Sequence, residues 1–251
     1  MRAKKSLSQC FLVSPSIGKK IVEELHLKET DFVIEVGPGK GAITKYIYQK
    51  PFARYLLIEK DRRFIPVLQE HFPKADVLEE DVLKMNFSGL KEKKAKLVSN
   101  LPYHITKPFL LLLLEQRESL EESYLLLQKE VVDKIATPTS LLGALFSFFS
   151  KVTPLFFVAK NHFHPKPKVD SALVKIHFED KGHRIKEVQD FLQNLFSSKR
   201  KTLFNNLQKI VSKEQLTAIF HKLDMNLHLR VENLTQDSLE ALYHQLKKLF
   251  K

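Results

Sequence analysis

The chain has one cysteine, Cys10, in 251 residues. A single thiol excludes an internal disulfide framework and any cysteine-rich metal site, and it fits a reducing, cytoplasmic setting. Long apolar runs are missing too. "FLLLLLE" (109–115) is far too short to cross a bilayer, and "GALFSFFSKVTPLFFV" (143–158) is interrupted by Lys151 and Pro154. Both read as core elements, and no membrane partner is expected. The basic opening "MRAKKSLSQCFLVSPS" carries an apolar stretch too short for a signal sequence. There is no repeat at a fixed period and no low-complexity tract. Acids are scarce relative to bases: 29 Asp and Glu face 41 Lys and Arg, a formal net charge of +12. Such an excess is large for an enzyme with a small neutral substrate and points to a polyanionic partner such as nucleic acid, although a solvated basic face that only aids solubility has the same composition.

What is present is enough for two domains. The length suits a main domain with a smaller partner, and 43% hydrophobic with 28% charged residues is the balance of a globular protein with a sizeable core. Between residues 30 and 180, short Val/Ile/Leu-rich runs alternate with longer mixed segments, the pattern of parallel strands joined by crossover helices. Seven strands are predicted, at 32–37, 54–60, 75–81, 95–100, 123–130, 154–160 and 172–178. Helices are predicted at 42–49, 63–72, 108–115 and 131–136. The proline-broken "NHFHPKPK" joins the last two strands, which predicts an antiparallel pair at one sheet edge. From about Arg184 the texture becomes purely helical, with apolar residues three and four apart. The expected organisation is an α/β domain over 1–181 and a smaller all-α domain over 182–251.

"EVGPGKGA" (35–42) follows the first strand and opens a helix, so Gly37, Gly39 and Gly41 let a ligand lie against the backbone at the carboxyl end of the sheet. The loop alone also fits a dinucleotide fingerprint or a plain tight turn. Glu59 and Asp81 narrow the choice, because they end the second and third strands and face the same crevice. Glu59 is placed to accept from both ribose hydroxyls of an adenosine group and Asp81 from its adenine amine.

"NLPY" (100–103) ends the fourth strand in that crevice. An exocyclic amine on adenine is a poor nucleophile, since its lone pair is delocalised into the ring. Two acceptors on its hydrogens draw that pair out: the Asn100 side-chain oxygen and a main-chain carbonyl at Leu101 or Pro102, with Pro102 stiffening the turn. Tyr103 supplies a ring to stack on the base, and Phe163 is the candidate for its second face. His162 and His164 have no further ligand at useful spacing, so no metal is expected.

"SLSQCFL", "EVGPGKGA", "IEKDRR", "EEDVLK", "NLPYHIT", "LLLQKEV" and "HPKPKVDSALVKI", in this order, resemble the rRNA adenine N6-dimethyltransferases of the KsgA type over essentially the whole chain. The resemblance implies a class I S-adenosylmethionine-dependent methyltransferase, a Rossmann-like seven-stranded sheet with a smaller helical domain. It implies dimethylation of two adjacent adenosines in the terminal hairpin of small-subunit rRNA, within an immature ribosomal particle, by a monomer that releases S-adenosylhomocysteine. By the same resemblance Gln9, Cys10 and Leu12 border the methionine end of the cofactor, Gly37 and Gly39 lie against it, Glu59 with Lys60 holds the ribose, Asp81 with Val82 the adenine, and Asn100 faces both cofactor and target amine. The family usually has asparagine where this chain has Cys10. Lys199, Arg200 and Lys201 are expected to contact RNA phosphates, though such a triplet is also common as a solvated charge run. Three readings stay open beside this one: an Erm-type enzyme acting on large-subunit rRNA, a non-catalytic assembly factor on the same fold, and a nicotinamide enzyme, which gives "NLPY" no purpose.

Overall fold

The computed structural model describes residues 10–90, 94–198 and 200–250. Its elements run β1 (Phe11–Leu12), α1 (Pro15–Glu24), β2 (Phe32–Val36), α2 (Thr44–Ile47), β3 (Arg54–Glu59), α3 (Ile65–His71), β4 (Asp76–Glu79), β5 (Ala95–Ser99), α4 (Thr106–Glu115) and β6 (Leu120–Gln128). Then come α5 (Lys129–Ile135), α6 (Leu141–Phe149), β7 (Ser150–Val158), β8 (Phe163–His164), β9 (Ser171–Phe178), α7 (Ile185–Leu195), α8 (Leu203–Leu207), α9 (Lys213–Lys222) and α10 (Gln236–Leu246).

Seven strands form one sheet in the order β4-β3-β2-β5-β6-β9-β7. β2 pairs in parallel with both β3 and β5, while β6 pairs with β9 in antiparallel fashion. Every residue of β2 and β5 is buried, which is why neither shows the apolar–polar alternation of a half-exposed strand, although Glu35, Lys96 and Ser99 are among the buried residues. The chain leaves β2 toward β3 on one side and returns to β5 on the other. That reversal opens a crevice at the carboxyl ends of β2 and β5, and a ligand site in an open α/β sheet sits there. β7 is an edge strand, so Pro154 within it removes no ladder bond that the sheet needs.

The seven strands match the sequence expectation apart from their ends. Four elements escaped it: β1, β8, α1 and α6. β1 and β8 are two residues each and pair with one another outside the main sheet, too short to show any period. α1 starts at Pro15, whose ring is already set for a first helical position, and buries Gly18, Ile21 and Val22.

The chain forms two compact units. One holds the described residues through Val132 with Thr153–Phe178; the other holds Asp133–Val152 with the chain from Glu179 onward. The helical unit thus takes in a segment that a division at 181/182 leaves with the sheet. The cause is α6, a helix with buried Phe146, Phe148 and Phe149 and no polar face to turn to water. The Phe148 ring meets Tyr243 edge to face at 5.1 Å and His183 at 5.5 Å, and Phe191 of α7 lies 5.3 Å from Tyr243.

The start of α6 is closed tightly. The Ser140 hydroxyl accepts from Gly143 N (3.0 Å) and donates to Lys134 O (2.8 Å). A Cβ on Gly143 would lie 1.9 Å from Thr137 O and 2.3 Å from Lys134 O, and backbone cannot swing aside as a side chain does. Gly143→Ala is expected to destabilise the protein by about 3 kcal/mol, lowering Tm by roughly 6–12 °C for a chain of this size. Thermal melting followed by circular dichroism checks this; an unchanged Tm would mean that the turn at 134–137 yields freely.

Candidate functional site

The crevice is organised by the loop between β2 and α2. Gly37 donates its N–H to Ile58 O at 2.9 Å and takes φ +67°, a left-handed conformation that favours glycine. A Cβ at Gly37 would meet no protein atom within 4 Å, so the space in front of this residue belongs to the crevice. Glu59, at the end of β3, accepts from Gly39 N (2.9 Å) through one oxygen and from Asp61 N (2.7 Å) through the other. It is 6% exposed. Burial raises its pKa, and the donors from Asp61 and Gly39 offset part of that rise. Each oxygen keeps a lone pair for a ligand hydroxyl.

Two hollows meet at Gly37, Glu59 and Pro102, with volumes of about 590 and 610 Å³ including their open mouths. The second has apolar walls from Ile58, Val82, Leu101 and Ile105, with Asp81 at its polar edge. The Lys60 ammonium donates to the Asp81 carboxylate at 2.7 Å and holds it below the usual carboxylate range; Leu83 N donates to the other oxygen at 3.1 Å. Flat apolar walls with one acceptor edge suit a heteroaromatic base that carries an amine.

The first hollow is lined by Cys10, Phe11, Leu12, Glu35, Lys40 and Asn100 among others. Asn100 Nδ2 donates to Cys10 O at 3.2 Å. A carbonyl only accepts, so this bond fixes which end of the amide faces it and leaves Oδ1 as the end available to a ligand. The bond uses the backbone of residue 10, so cysteine in place of the usual asparagine leaves it intact. The thiol is pushed above its ordinary pKa by burial and stays protonated.

Pro102, at φ −58°, precedes a single 3₁₀ turn over Tyr103–Ile105 and accepts from Ile105 N at 3.2 Å. Leu101 is 4% exposed, and its carbonyl has no main-chain donor among the described residues. The Tyr103 hydroxyl lies 3.1 Å from Ser171 Oγ, which tethers the far end of a half-buried ring. Burial raises the Tyr103 pKa, so the hydroxyl stays protonated.

Cys10, Leu12, Gly37, Gly39, Glu59, Asn100 and Pro102 thus line one hollow, and Lys60, Asp81, Val82 and Leu101 line the adjoining one. Phe163 does not join them. It is 4% exposed, paired in β8 with Leu12, and packed in the core with Val158 and Leu173, so its ring has no open face to offer a base. Arg200 and Lys201 are exposed in the helical unit, just before the Thr202 cap of α8. Asn206 fixes the segment before them by donating to Leu195 O and Ser198 O, each at 2.9 Å. Gln9 and Lys199 lie outside the described residues.

Glu35 was missed from sequence, although an acid in the middle of the buried strand "FVIEV" is a visible signal. It borders the first hollow, and the Tyr55 hydroxyl donates to its carboxylate. Burial pushes its pKa up to about 7, the Tyr55 bond offsetting only part of the rise. The folded state therefore keeps this proton after the unfolded chain has lost it near ~4.3, and stability is lost as pH rises from there to about 7. Glu59 slopes the same way, so the comparison is between the parent and Glu35→Gln. Urea unfolding at pH 5 and pH 8 should show the variant gaining on the parent by up to about 3 kcal/mol; parallel pH profiles would count against a protonated Glu35.

Comparisons with known proteins show what the chain is similar to. The chain is 35% identical to the "Ribosomal RNA small subunit methyltransferase A" of Chlorobium phaeobacteroides, covering 98% of this chain and 94% of the relative. It is 37% identical to the protein of that name from Marinobacter nauticus, covering 93% and 87%. A dimethyladenosine transferase from Plasmodium falciparum superposes with a TM-score of 0.82 at 26% identity, over 95% of this chain and 98% of the other. The 23S rRNA methyltransferase ErmE shares the fold, with a TM-score of 0.79 at 20% identity over 94% and 99%. Residues 1–248 match the sequence family described as ribosomal RNA adenine dimethylase. With a glycine loop, two strand-end carboxylates and an oriented asparagine in one crevice, the chain belongs to the ribosomal RNA adenine dimethylase family.

Proposed function

We propose that this chain transfers methyl groups from S-adenosylmethionine to N6 of two adjacent adenosines in the 3′-terminal hairpin of small-subunit rRNA, acting as a cytoplasmic monomer on an immature ribosomal particle. The observation that carries the reading is the Asn100 amide, held through Nδ2 by Cys10 O with Oδ1 left to accept. The residues also fit the cofactor. The open space before Gly37 admits a ligand across the loop, Glu59 has lone pairs for ribose hydroxyls, Asp81 edges an apolar slot suited to adenine, and the Cys10–Leu12 side suits the amino-acid end.

S-adenosylmethionine, when bound, supplies an electrophilic methyl group and leaves as S-adenosylhomocysteine. The protein's task is to make N6 nucleophilic. Asn100 Oδ1 and the Leu101 carbonyl, beside the rigid Pro102 turn, accept the two amine hydrogens and localise the lone pair on nitrogen. Tyr103 presents a ring tethered at its hydroxyl, and stacking on it holds the target base out of its own helix. No strong base is required, since the proton leaves an already alkylated, acidic nitrogen. One hydrogen remains after the first transfer, and the same acceptors hold it for the second.

Small-subunit relatives at 35% and 37% identity favour this substrate over large-subunit rRNA. Labelled S-adenosylmethionine offered to under-methylated small-subunit particles and to large-subunit RNA tests the reading. Label is expected on two adjacent adenosines of the former, and label on the latter alone would replace it with the Erm-type assignment. In the same assay Asn100→Ala should lose on the order of 10²–10³ in kcat while cofactor binding weakens far less; near-normal turnover would remove Asn100 from the mechanism.

The helical unit is assigned the task of positioning RNA, through Lys199, Arg200 and Lys201. Changing all three to alanine should weaken binding to small-subunit particles and flatten its dependence on log salt by about 2–3 units, as counterion release requires. Equal slopes for parent and variant would return the triplet to a solvated surface.

A further inference from the structure

Among the described residues no large hydrophobic side chain is more exposed than Phe157, at 65%. It lies on the edge strand β7 between Phe156, which turns to the opposite side and takes the Lys20 ammonium over its ring at 4.1 Å, and buried Val158. An isolated exposed phenylalanine needs no explanation. This one has charged neighbours and a defined place. The Lys129 ammonium stands 5.5 Å from its ring centroid, and exposed Lys166 and Lys168 follow in the loop between β8 and β9.

The position connects to the crevice through a short chain of contacts within the sheet unit. Tyr103 reaches Ser171 through its hydroxyl at 3.1 Å, and Ser171 opens β9 in register with Gln128 of β6. One residue before Ser171, Asp170 accepts from Lys129 N through its main-chain oxygen (3.1 Å) and from Lys160 N through its carboxylate (2.9 Å). Asp170, at the start of β9, thus bonds both Lys129, which follows β6, and Lys160, just past the end of β7, the strands that flank β9 on either side. The exposed ring and its ammonium therefore lie at the same end of the sheet as the Tyr103 turn.

We propose that Phe157 and Lys129 form a second nucleotide-binding position, with the ring stacking an unpaired nucleotide that flanks the target adenosine and the ammonium meeting its phosphate. An aromatic face beside cationic groups is the arrangement that binds single-stranded nucleic acid, because every base has a π-face and every linkage a negative charge. The local charge favours RNA over an apolar protein partner: the Lys129 ammonium stands at the ring, exposed Lys166 and Lys168 lie in the loop before β9, and the Asp170 carboxylate accepts from Lys160 N. The inference rests on the rRNA substrate assigned above. It adds which nucleotide contact this chain makes beyond the target base.

The test is steady-state methylation of under-methylated small-subunit particles by the parent, Phe157→Ala, Phe157→Leu and Phe157→Trp, with cofactor affinity measured for each. The ring is exposed, so all three variants should fold. A stacked nucleotide predicts that Ala and Leu each raise KM for the particles roughly tenfold or more, that Trp restores it, and that kcat and cofactor affinity stay near the parent's. Lys129→Gln should raise KM less and reduce its salt dependence. An unchanged KM in Phe157→Ala overturns the proposal while leaving the reaction assigned above intact. So does a Leu variant as good as the parent, which would signal an apolar protein contact. A parent that leaves the particles unmethylated overturns the substrate reading, and this inference with it.

Discussion

The carboxylate of Glu59 is the constraint on which the rest of the site depends. Its two oxygens take the N–H of Gly39 and the N–H of Asp61, so one buried side chain ties the glycine loop after β2 to the turn after β3. Both loops leave parallel strands, and nothing in a parallel ladder fixes loops to each other. The bond from Gly37 N to Ile58 O continues the link at the strand ends. With the loop so held, the space before Gly37 stays open and the two hollows share a wall.

A second link joins the chain's beginning to the catalytic turn. β1 pairs with β8, and Cys10, next to β1, holds the Asn100 amide through its carbonyl. The two-residue sheet therefore does more than cover the core. It sets the direction of the amide that is to accept from the target amine, and it does so through backbone atoms, which tolerates cysteine at position 10. The Phe11 ring meets Phe64 at 5.8 Å and takes the Lys40 ammonium at 5.0 Å, keeping this segment against the glycine loop.

Charge is distributed unequally along the crevice. Asp81 is paired with Lys60 and stays ionised, whereas Glu35 lies deep against Tyr55 and holds its proton to about pH 7. An ionised carboxylate with no cation beside it, at that depth, would cost several kcal/mol. Placing one acid at the wet edge and one at the dry base lets a polar ligand find acceptors at the rim, while the floor remains nearly neutral.

The sequence by itself determined the strands, the glycine loop, the two strand-end acids and the Asn-Leu-Pro-Tyr turn. These are local patterns: fully buried parallel strands print as apolar runs, and glycine and proline mark conformations that other residues avoid. Tertiary structure alone decided the partners. The Cys10–Asn100 bond spans ninety residues, the β1–β8 pair joins two segments too short for any period, and the phenylalanine of "NHFHPKPK" is turned into the core by its pairing with Leu12. The place of α6 was likewise undecidable locally. A helix apolar on every side states only that it is buried, and the rings of Tyr243 and His183, far along the chain, determine where. Side-chain direction at long range is set by packing, and packing is a property of the assembled chain.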